Sequence, residues 1–399
     1  MKLKENDNVP EIRFDYFKEE WDKKKFKDFT KLSQGLQIAI SSRFLEDGEH
    51  RYFYITNEFL NPNSTKKYYI ESPSENVICT VDDILMTRTG NTGKVITNIS
   101  GAFHNNFFKV DYDKFETSKM FLYYLLTSND IQKEIIIRAG NSTIPDLNHS
   151  DFYSIKTSVP ALAEQSAIGS LFLTLDNLLA SYKDNLANYQ SLKVTMLSKM
   201  FPKAGQTVPE IRLDGFEGEW GKGTLEPYLT ESRISGDTGL TAKKLTVKLW
   251  GKGVIKKEEK YAGSLNTQYF IRKGGQFIYS KLDFQNQAFG IIPNELDGYQ
   301  STLDLPTFDI QNIDAKFLLE YVMRREFYEY QGLIANGSRK AKRIHPEDFL
   351  VMPVRIPYLE EQRAIGTYFS NLDNLINSYQ EKISQLETLK KKLLQDMFI

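Results

Sequence analysis

The chain contains a single cysteine, Cys79, among 399 residues, which excludes a disulfide framework and a cysteine-ligated zinc site. Histidine is nearly as scarce. The four, His50, His104, His149 and His345, form no i, i+4 pair, so no histidine-based metal motif is present. No run approaches about 18 consecutive apolar residues, and the opening MKLKENDNVPEIR lacks the apolar stretch of a signal peptide. Neither a membrane span nor secretion is expected, and a cytoplasmic location is. An excess of one charge is also missing: 51 Lys and Arg against 52 Asp and Glu leave a formal net charge of −1. There is thus no global field to draw the chain to nucleic acid, and any basic surface must be local. Catalytic motifs are absent as well. GNTGK at 90–94 has two residues between its glycines where a phosphate loop has four, Val95 follows its lysine where Ser or Thr is needed, and there is no G-x-S-x-G elbow. Asp82-Asp83 before ILM reads as a turn entering a strand.

What the sequence does have is repetition. VPEIRFDYFKEEW at 9–21 returns as VPEIRLDGFEGEW at 208–220, with 9 of 13 positions identical at an offset of 199. The 43 residues at 159–201 align without a gap on 356–398, with 19 identities at an offset of 197. Shared positions include Pro160/Pro357, Glu164/Glu361, Gln165/Gln362, Gly169/Gly366 and the run LDNL. Weaker echoes lie upstream: AGNS at 139–142 against ANGS at 335–338, and Asp151-Phe152 against Asp348-Phe349. Solenoid repeats recur about every 20 to 50 residues, so a period of half the chain means duplicated domains. The length suits two or three domains, each able to bury its own core.

After Pro160 and Pro357 short alternating runs give way to helical periodicity. Leu175, Tyr182, Tyr189 and Met196 fall seven apart, with Leu178 and Leu192 three residues after the first and third. Leu372, Tyr379, Leu386 and Leu393 repeat the step, flanked by Leu375, Ile376, Ile383 and Leu389. Heptads sustained in this way mark a narrow helix–helix seam. A helix of about 40 residues spans about 60 Å, longer than a small domain is wide, so the two stripes are expected to bury each other.

Between signature and helix, each body shows short β-rich runs such as RYFYI, ENVICTV and GQFIYS, broken by turn residues and followed by a helical stretch. Each reads as α+β. Their loops carry the residues suited to DNA, because Lys and Arg neutralise phosphates while Arg, Asn and Gln can bond base edges in pairs. In the first body these are Lys66, Lys67, Tyr68, Arg88, Asn91, Thr92, Lys94, His104, Asn105, Asn106, Asn141 and Ser142. In the second they are Lys243, Lys244, Lys248, Trp250, Lys252, Lys281, Gln285, Asn286, Ser338, Arg339, Lys340, Lys342 and Arg343. Charged loops are often merely solvated, so a two-headed adaptor for proteins is an alternative, separable by the salt dependence that phosphate binding confers.

Taken in order, VPEIRF…FKEEW and its copy, DDILMTRTGNTG, AGNSTIPDLNHSDF, NGSRKAKRIHPEDF and P.L.EQ.AI…LD.L twice resemble the specificity subunits of type I restriction-modification systems over nearly the whole chain. One piece departs from the pattern: DDILMTRTGNTG has only a loose partner, GGQFIYSKLDFQ, in the second copy. The resemblance implies an α+β architecture with two similar α/β target-recognition domains, joined by two long antiparallel coiled-coil helices in a pseudo-two-fold internal repeat. It divides the chain into a signature segment (1–21), a first target-recognition domain (22–158), a first helix (159–201), a linker with the second signature (202–221), a second target-recognition domain (222–355) and a second helix (356–399). The expected helix–helix seam is Leu175, Leu178, Tyr182, Tyr189 and Leu192 against Leu372, Leu375, Tyr379, Leu386, Leu389 and Leu393.

The function implied is that of a non-catalytic reader of double-stranded DNA that recruits two modification subunits and, in a full complex, two restriction subunits that translocate and cut. S-adenosylmethionine is expected in the modification subunits, which methylate adenine, and no cofactor is expected in this chain. In keeping with that, the chain has no glycine-rich cofactor motif and no N/D-P-P-Y/F tetrapeptide.

Overall fold

The computed structural model of the protein describes residues 9–140, 143–258, 263–333 and 343–399. It forms two compact units, Met1–Lys183 with Glu381–Ile399 and Asp184–Gln380. The expected bodies at 22–158 and 222–355 are therefore only the centres of these units, because each unit also takes in half of each long helix. The α-helices among the described residues are α1 (Lys119–Thr127), α2 (Asn129–Ala139), α3 (His149–Ser154), α4 (Leu162–Lys199), α5 (Ala315–Met323), α6 (Arg325–Gly332), α7 (Pro346–Leu350) and α8 (Leu359–Asp396). None is long and apolar enough to cross a membrane.

In unit 1 a four-stranded antiparallel sheet has the order Thr30–Gln34, Phe107–Tyr112, Ile84–Thr87, Val95–Thr97. Ile84–Thr87 is buried along its whole length, as an apolar run between two packed layers must be. Unit 2 repeats the order with Leu229–Glu231, Thr307–Ile310, Phe277–Tyr279 and Phe289–Ile291. Each unit also pairs two short antiparallel strands, Asp22–Lys25 with Lys156–Val159 and Gly221–Thr224 with Pro353–Ile356, and the other strands differ. Unit 1 adds a sheet ordered Tyr69–Glu71, Arg51–Ile55, Gly101–Phe103, Ile78–Cys79, whereas unit 2 adds three strands and a separate hairpin, Leu245–Val247 with Val254–Lys256. Cys79 is buried in the former, and burial pushes its thiol up to about 11, so it packs as a small apolar side chain.

The repeated motifs prove to be internal fasteners. Arg13 of the first signature grips Glu164 at the start of α4 with two bonds of 2.7 Å. Arg212 grips Glu361 at the start of α8 at 2.8 and 2.7 Å. Such forked pairs are geometrically selective, which explains why the arginine and the glutamate are both duplicated. The next residue, Gln165, donates to Pro160 O and accepts the Ser118 N–H at 2.9 Å, just ahead of α1. Gln362 does the same with Pro357 O and the Asp314 N–H at 3.0 Å, ahead of α5. One turn on, a Cβ on Gly169 would lie 2.8 Å from Phe121 N, and one on Gly366 2.5 Å from Asp314 Oδ1. Glycine is what lets α1 and α5 approach the long helices this closely.

Each core is closed by the end of the long helix that arrives from the other half of the sequence. Phe398 packs on Phe121 and Phe172 in unit 1, and Phe201 on Trp220, Phe317, Tyr321 and Phe369 in unit 2. The signatures then follow alike: Ile12 N–H donates to Asp396 O at 3.0 Å and Ile211 N–H to Lys199 O at 2.9 Å.

Within each unit the halves of α4 and α8 pair in opposite directions, with Lys183 on Glu387 at 2.7 Å in unit 1, and Tyr189 on Tyr379 with ring centroids 5.3 Å apart in unit 2. The seam differs from the expected one at Leu178, Leu375 and Leu389. Leu178 is 40 % exposed and Leu179 7 %; Leu375 and Leu389 are exposed, whereas Ile376 is buried and Lys390 half-buried. Leu192 is half-buried beside Lys193. From Leu175 the buried face steps by four and then three, through Leu179, Tyr182, Leu186, Tyr189 and Lys193, and α8 runs likewise through Leu372, Ile376, Tyr379, Ile383, Leu386, Lys390 and Leu393. The expected stripe stepped by three and then four because leucines at 178, 192, 375 and 389 favoured that phase. Lysines at 193 and 390 concealed the true one.

Candidate nucleic-acid interface

In unit 1 the turn 88–94 joins Ile84–Thr87 to Val95–Thr97. Gly90, Asn91 and Gly93 have φ of 64°, 62° and 88°, the left-handed region that glycine and asparagine accept most readily. The turn is pinned from several sides. Asn57 Nδ2 donates to the carbonyls of Thr89 and Gly90 at 3.2 and 3.1 Å, Gln132 Nε2 to Gly93 O at 2.8 Å, and Thr92 Oγ1 to Pro145 O at 2.8 Å. Asn91 and Lys94 stay exposed at its tip, which makes them preorganised for a ligand. Arg88 is instead turned inward, with Nη2 2.7 Å from Asp146 Oδ2 and the guanidinium 5.5 Å from the Phe108 ring centroid.

Backbone bonds place two further segments beside this turn. Arg88 N–H donates to Asn106 O at 2.7 Å, and Leu147 N–H to Arg88 O at 2.9 Å. His104 Nδ1 accepts the Asn106 N–H at 3.1 Å. Burial lowers the imidazole pKa, nearby Arg43 adding to the effect, which favours the neutral ring. Asn105 Nδ2 reaches Gln37 Oε1 at 3.2 Å, and Asn105 O accepts from Gln34 Nε2 at 3.4 Å. Arg43 lies over the rings of Tyr54 and Tyr68 at 5.2 and 5.5 Å. Gln34, Gln37 and Arg43 thus join the cluster although sequence reasoning missed them. Their stretch, SQGLQIAISSR, is amide-rich rather than basic, and amide content was the available signal. Lys66 and Lys67 are exposed in the loop leading to half-buried Tyr68. Asn141 and Ser142 lie outside the described residues.

Unit 2 resolves the loose partner of DDILMTRTGNTG. After Phe277–Tyr279, Lys281 takes the place of Arg88, and its carbonyl accepts the Ile344 N–H at 3.1 Å as Arg88 accepts that of Leu147. Asp283 closes the turn, accepting from Ser280 Oγ at 3.1 Å and Asn286 Nδ2 at 3.3 Å. A second loop, 248–253, is bound to the first: Trp250 N–H donates to Asn286 O at 2.8 Å and Gly251 N–H to Gln287 O at 3.0 Å. These bonds hold Trp250 at φ 61°, with its side chain in solvent and the residue 58 % exposed. Lys248, Trp250, Lys252, Gln285 and Asn286 are therefore gathered in one place, with Lys281 half-buried at its edge.

Lys243 is exposed, but Lys244 is not. It is 5 % exposed with its ammonium 5.4 Å from the Tyr269 ring centroid, so the expectation that it meets DNA is corrected. Adjacent residues of an extended chain point to opposite sides, and of this pair Lys244 is the one turned inward. Arg343 Nε stands 3.6 Å from Asp304. Ser338, Arg339, Lys340 and Lys342 lie outside the described residues. Among those described, no cluster of His, Cys, Asp and Glu is arranged to hold a metal ion.

Residues 18–188 match the family model of the type I restriction modification DNA specificity domain. The type I restriction enzyme MjaVIII specificity subunit of Methanocaldococcus jannaschii is 22% identical over 422 residues, covering 99% of this chain and 96% of that protein. The crystal structure of the S subunit of a type I restriction-modification system from M. genitalium superposes with a TM-score of 0.62 at 17% identity, covering 98% of this chain and 99% of the other. The fold is therefore that of an S subunit, and nothing in these matches favours the protein adaptor.

Proposed function

We infer that this chain is a type I restriction-modification DNA specificity subunit, itself non-catalytic, and that it reads a split target, one half-site per unit. Each unit enters the major groove with its own loops, and the paired helices set the unspecified spacer between the halves. In unit 1 the reading surface is the 88–94 turn, with Asn91 and Lys94 outermost, together with 104–106 and the glutamines at 34 and 37. In unit 2 it is 248–253 with 281–286, and the basic stretch Arg339, Lys340, Lys342 and Arg343 is assigned to the same half-site on its sequence alone. Amides and guanidinium groups supply paired bonds to base edges, and lysines neutralise phosphates.

The observation that carries this reading is the equivalence of the two turns. They occupy the same place on the same sheet and share the same backbone bond, to residue 147 or 344, yet present TRTGNTGK in one unit and SKLDFQNQA in the other. A fixed frame with interchangeable tips suits two different half-sites, so the whole target is asymmetric.

The partners are double-stranded DNA, two modification subunits and, in a restricting complex, two restriction subunits, all acting in the cytoplasm. S-adenosylmethionine belongs to the modification subunits, which flip and methylate an adenine in the target. The test is exchange of residues 22–158 for the body of another such subunit, read by methylome sequencing. One half of the methylated motif should change and the other remain. Change in both halves, or in neither, would overturn the reading.

A further inference from the structure

Two lysines in the helix seam are not accounted for by DNA reading or by core packing. Lys193 of α4 and Lys390 of α8 lie 197 residues apart, at equivalent places in the repeat, each at a heptad position filled elsewhere by Leu, Ile, Phe or Met. Lys193 Nζ is 2.7 and 2.8 Å from the two carboxylate oxygens of Asp373 on α8 and 3.4 Å from Glu320 on α5. Lys390 pairs with Asp176 on α4. That same carboxylate accepts the Tyr124 hydroxyl of α1 at 2.7 Å, and Lys390 Nζ is 5.5 Å from the Tyr124 ring centroid. Asp176 and Asp373 are again 197 apart.

Each lysine therefore ties three elements together: its own helix, the antiparallel helix and the first helix of a recognition body. The body engaged is not the one that precedes the lysine's helix in sequence. Lys193 follows the body of unit 1 but fastens α5 of unit 2, and Lys390 follows the body of unit 2 but fastens α1 of unit 1. Stability does not require this arrangement, since an ion pair in a seam is commonly no better than apolar packing there. The best-attested use of such polar residues is to select one arrangement over near alternatives. Glu320 is 7 % exposed and burial drives its carboxyl pKa upward, with Lys193 opposing the shift, so the lysine is what favours its charged form.

We propose that Lys193 and Lys390 are positioning residues that fix how each recognition body is seated on the helix pair, and thereby how strictly the protein distinguishes one spacer length from the next. This rests on the split-target reading. The test compares the full chain with its modification subunits as wild type, Lys193→Met, Lys390→Met, Lys193→Arg and the triple Lys193→Met/Glu320→Gln/Asp373→Leu, on duplexes whose spacer is the parental length or one base pair shorter or longer. For the Met variants, preference for the parental spacer should fall about tenfold, equivalent to about 1.4 kcal/mol, while affinity for the parental duplex falls by less. The triple variant, which leaves no unpaired carboxylate, should fold as well as wild type and show the same relaxation. Lys193→Arg should retain the preference. Undiminished discrimination in the triple variant and in Lys390→Met overturns the proposal. A wild-type protein that itself ignores spacer length would overturn the split-target reading instead, a result distinguishable because it appears before any substitution is made.

Discussion

Unit 1 and unit 2 place identical side chains on equivalent partners at the motif positions, and different side chains on equivalent turns at the loop positions. Arg13 and Glu164 match Arg212 and Glu361, and Gln165 matches Gln362, bond for bond. The turns after Ile84–Thr87 and Phe277–Tyr279 share their place in the sheet and one backbone bond, and differ in length, in conformation and in nearly every exposed group. Repetition in this sequence therefore marks scaffold, and the target-reading surface is to be sought where repetition fails. The equivalence is not complete. Trp220 Nε1 reaches Glu361 Oε1 at 3.3 Å, whereas Trp21 Nε1 is buried without a partner among the described residues.

The largest effect should come from the core plugs. Phe201 has four aromatic neighbours within 6.2 Å, and truncation of such a ring costs about 3 to 5 kcal/mol. Phe398, with Phe121 and Phe172 at 5.6 and 5.8 Å, should cost toward the lower end. Calorimetry on Phe201→Ala and Phe398→Ala would show unit 2 losing more; the reverse order would contradict the packing described.

The fasteners come next. Removing one partner of a buried pair leaves the other charged and unpaired, at about 3 to 5 kcal/mol. Glu361→Ala should exceed Glu164→Ala because it also strands Trp220 Nε1. Equal losses in denaturant titrations would mean that the indole bond contributes nothing.

Much of this was legible in the sequence. The duplication, the long helices and the α+β bodies followed from identities and periodicity, because scaffold contacts constrain residue type at fixed spacing. Three things were not legible. The phase of the seam was misread at Leu178, Leu375 and Leu389, because a lysine satisfied by an aspartate across the seam looks polar to any hydrophobic count. Lys244 was misjudged because a run of lysines does not reveal which of them lies inside. The amides at 34 and 37 were missed for a related reason, as neutral polar residues leave no charge pattern.

The recognition tips should respond more weakly and on one side only. Lys94→Ala should weaken binding to all sequences about equally and lower the salt slope by about 1, whereas Asn91→Ala should cost about 1 to 3 kcal/mol and relax one position of one half-site. Lys252→Ala should mirror Lys94→Ala while leaving the sequence read by unit 1 untouched. Titrations on duplexes altered in one half at a time would decide this, and a loss of selectivity in both halves after a single substitution would break the correspondence between units and half-sites.

The smallest expected effect is also the sharpest check on the seam. Leu178 and Leu179 are adjacent leucines on one helix, equal in composition and in helix propensity, and differ in the face they present: 40 % against 7 % exposed. Leu178→Gln leaves the seam untouched and exchanges one exposed side chain for another, so its cost should stay within about 0.5 kcal/mol. Leu179→Ala removes buried methyl groups and should cost about 2 kcal/mol or more. The same contrast should appear at Leu375, exposed, and Ile376, buried, because the stripe has the same phase in both helices. If Leu178→Gln proved the more damaging of its pair, the helices would meet along the three-then-four stripe, Lys193 would be turned to solvent, and its role in seating the body of unit 2 would go with it.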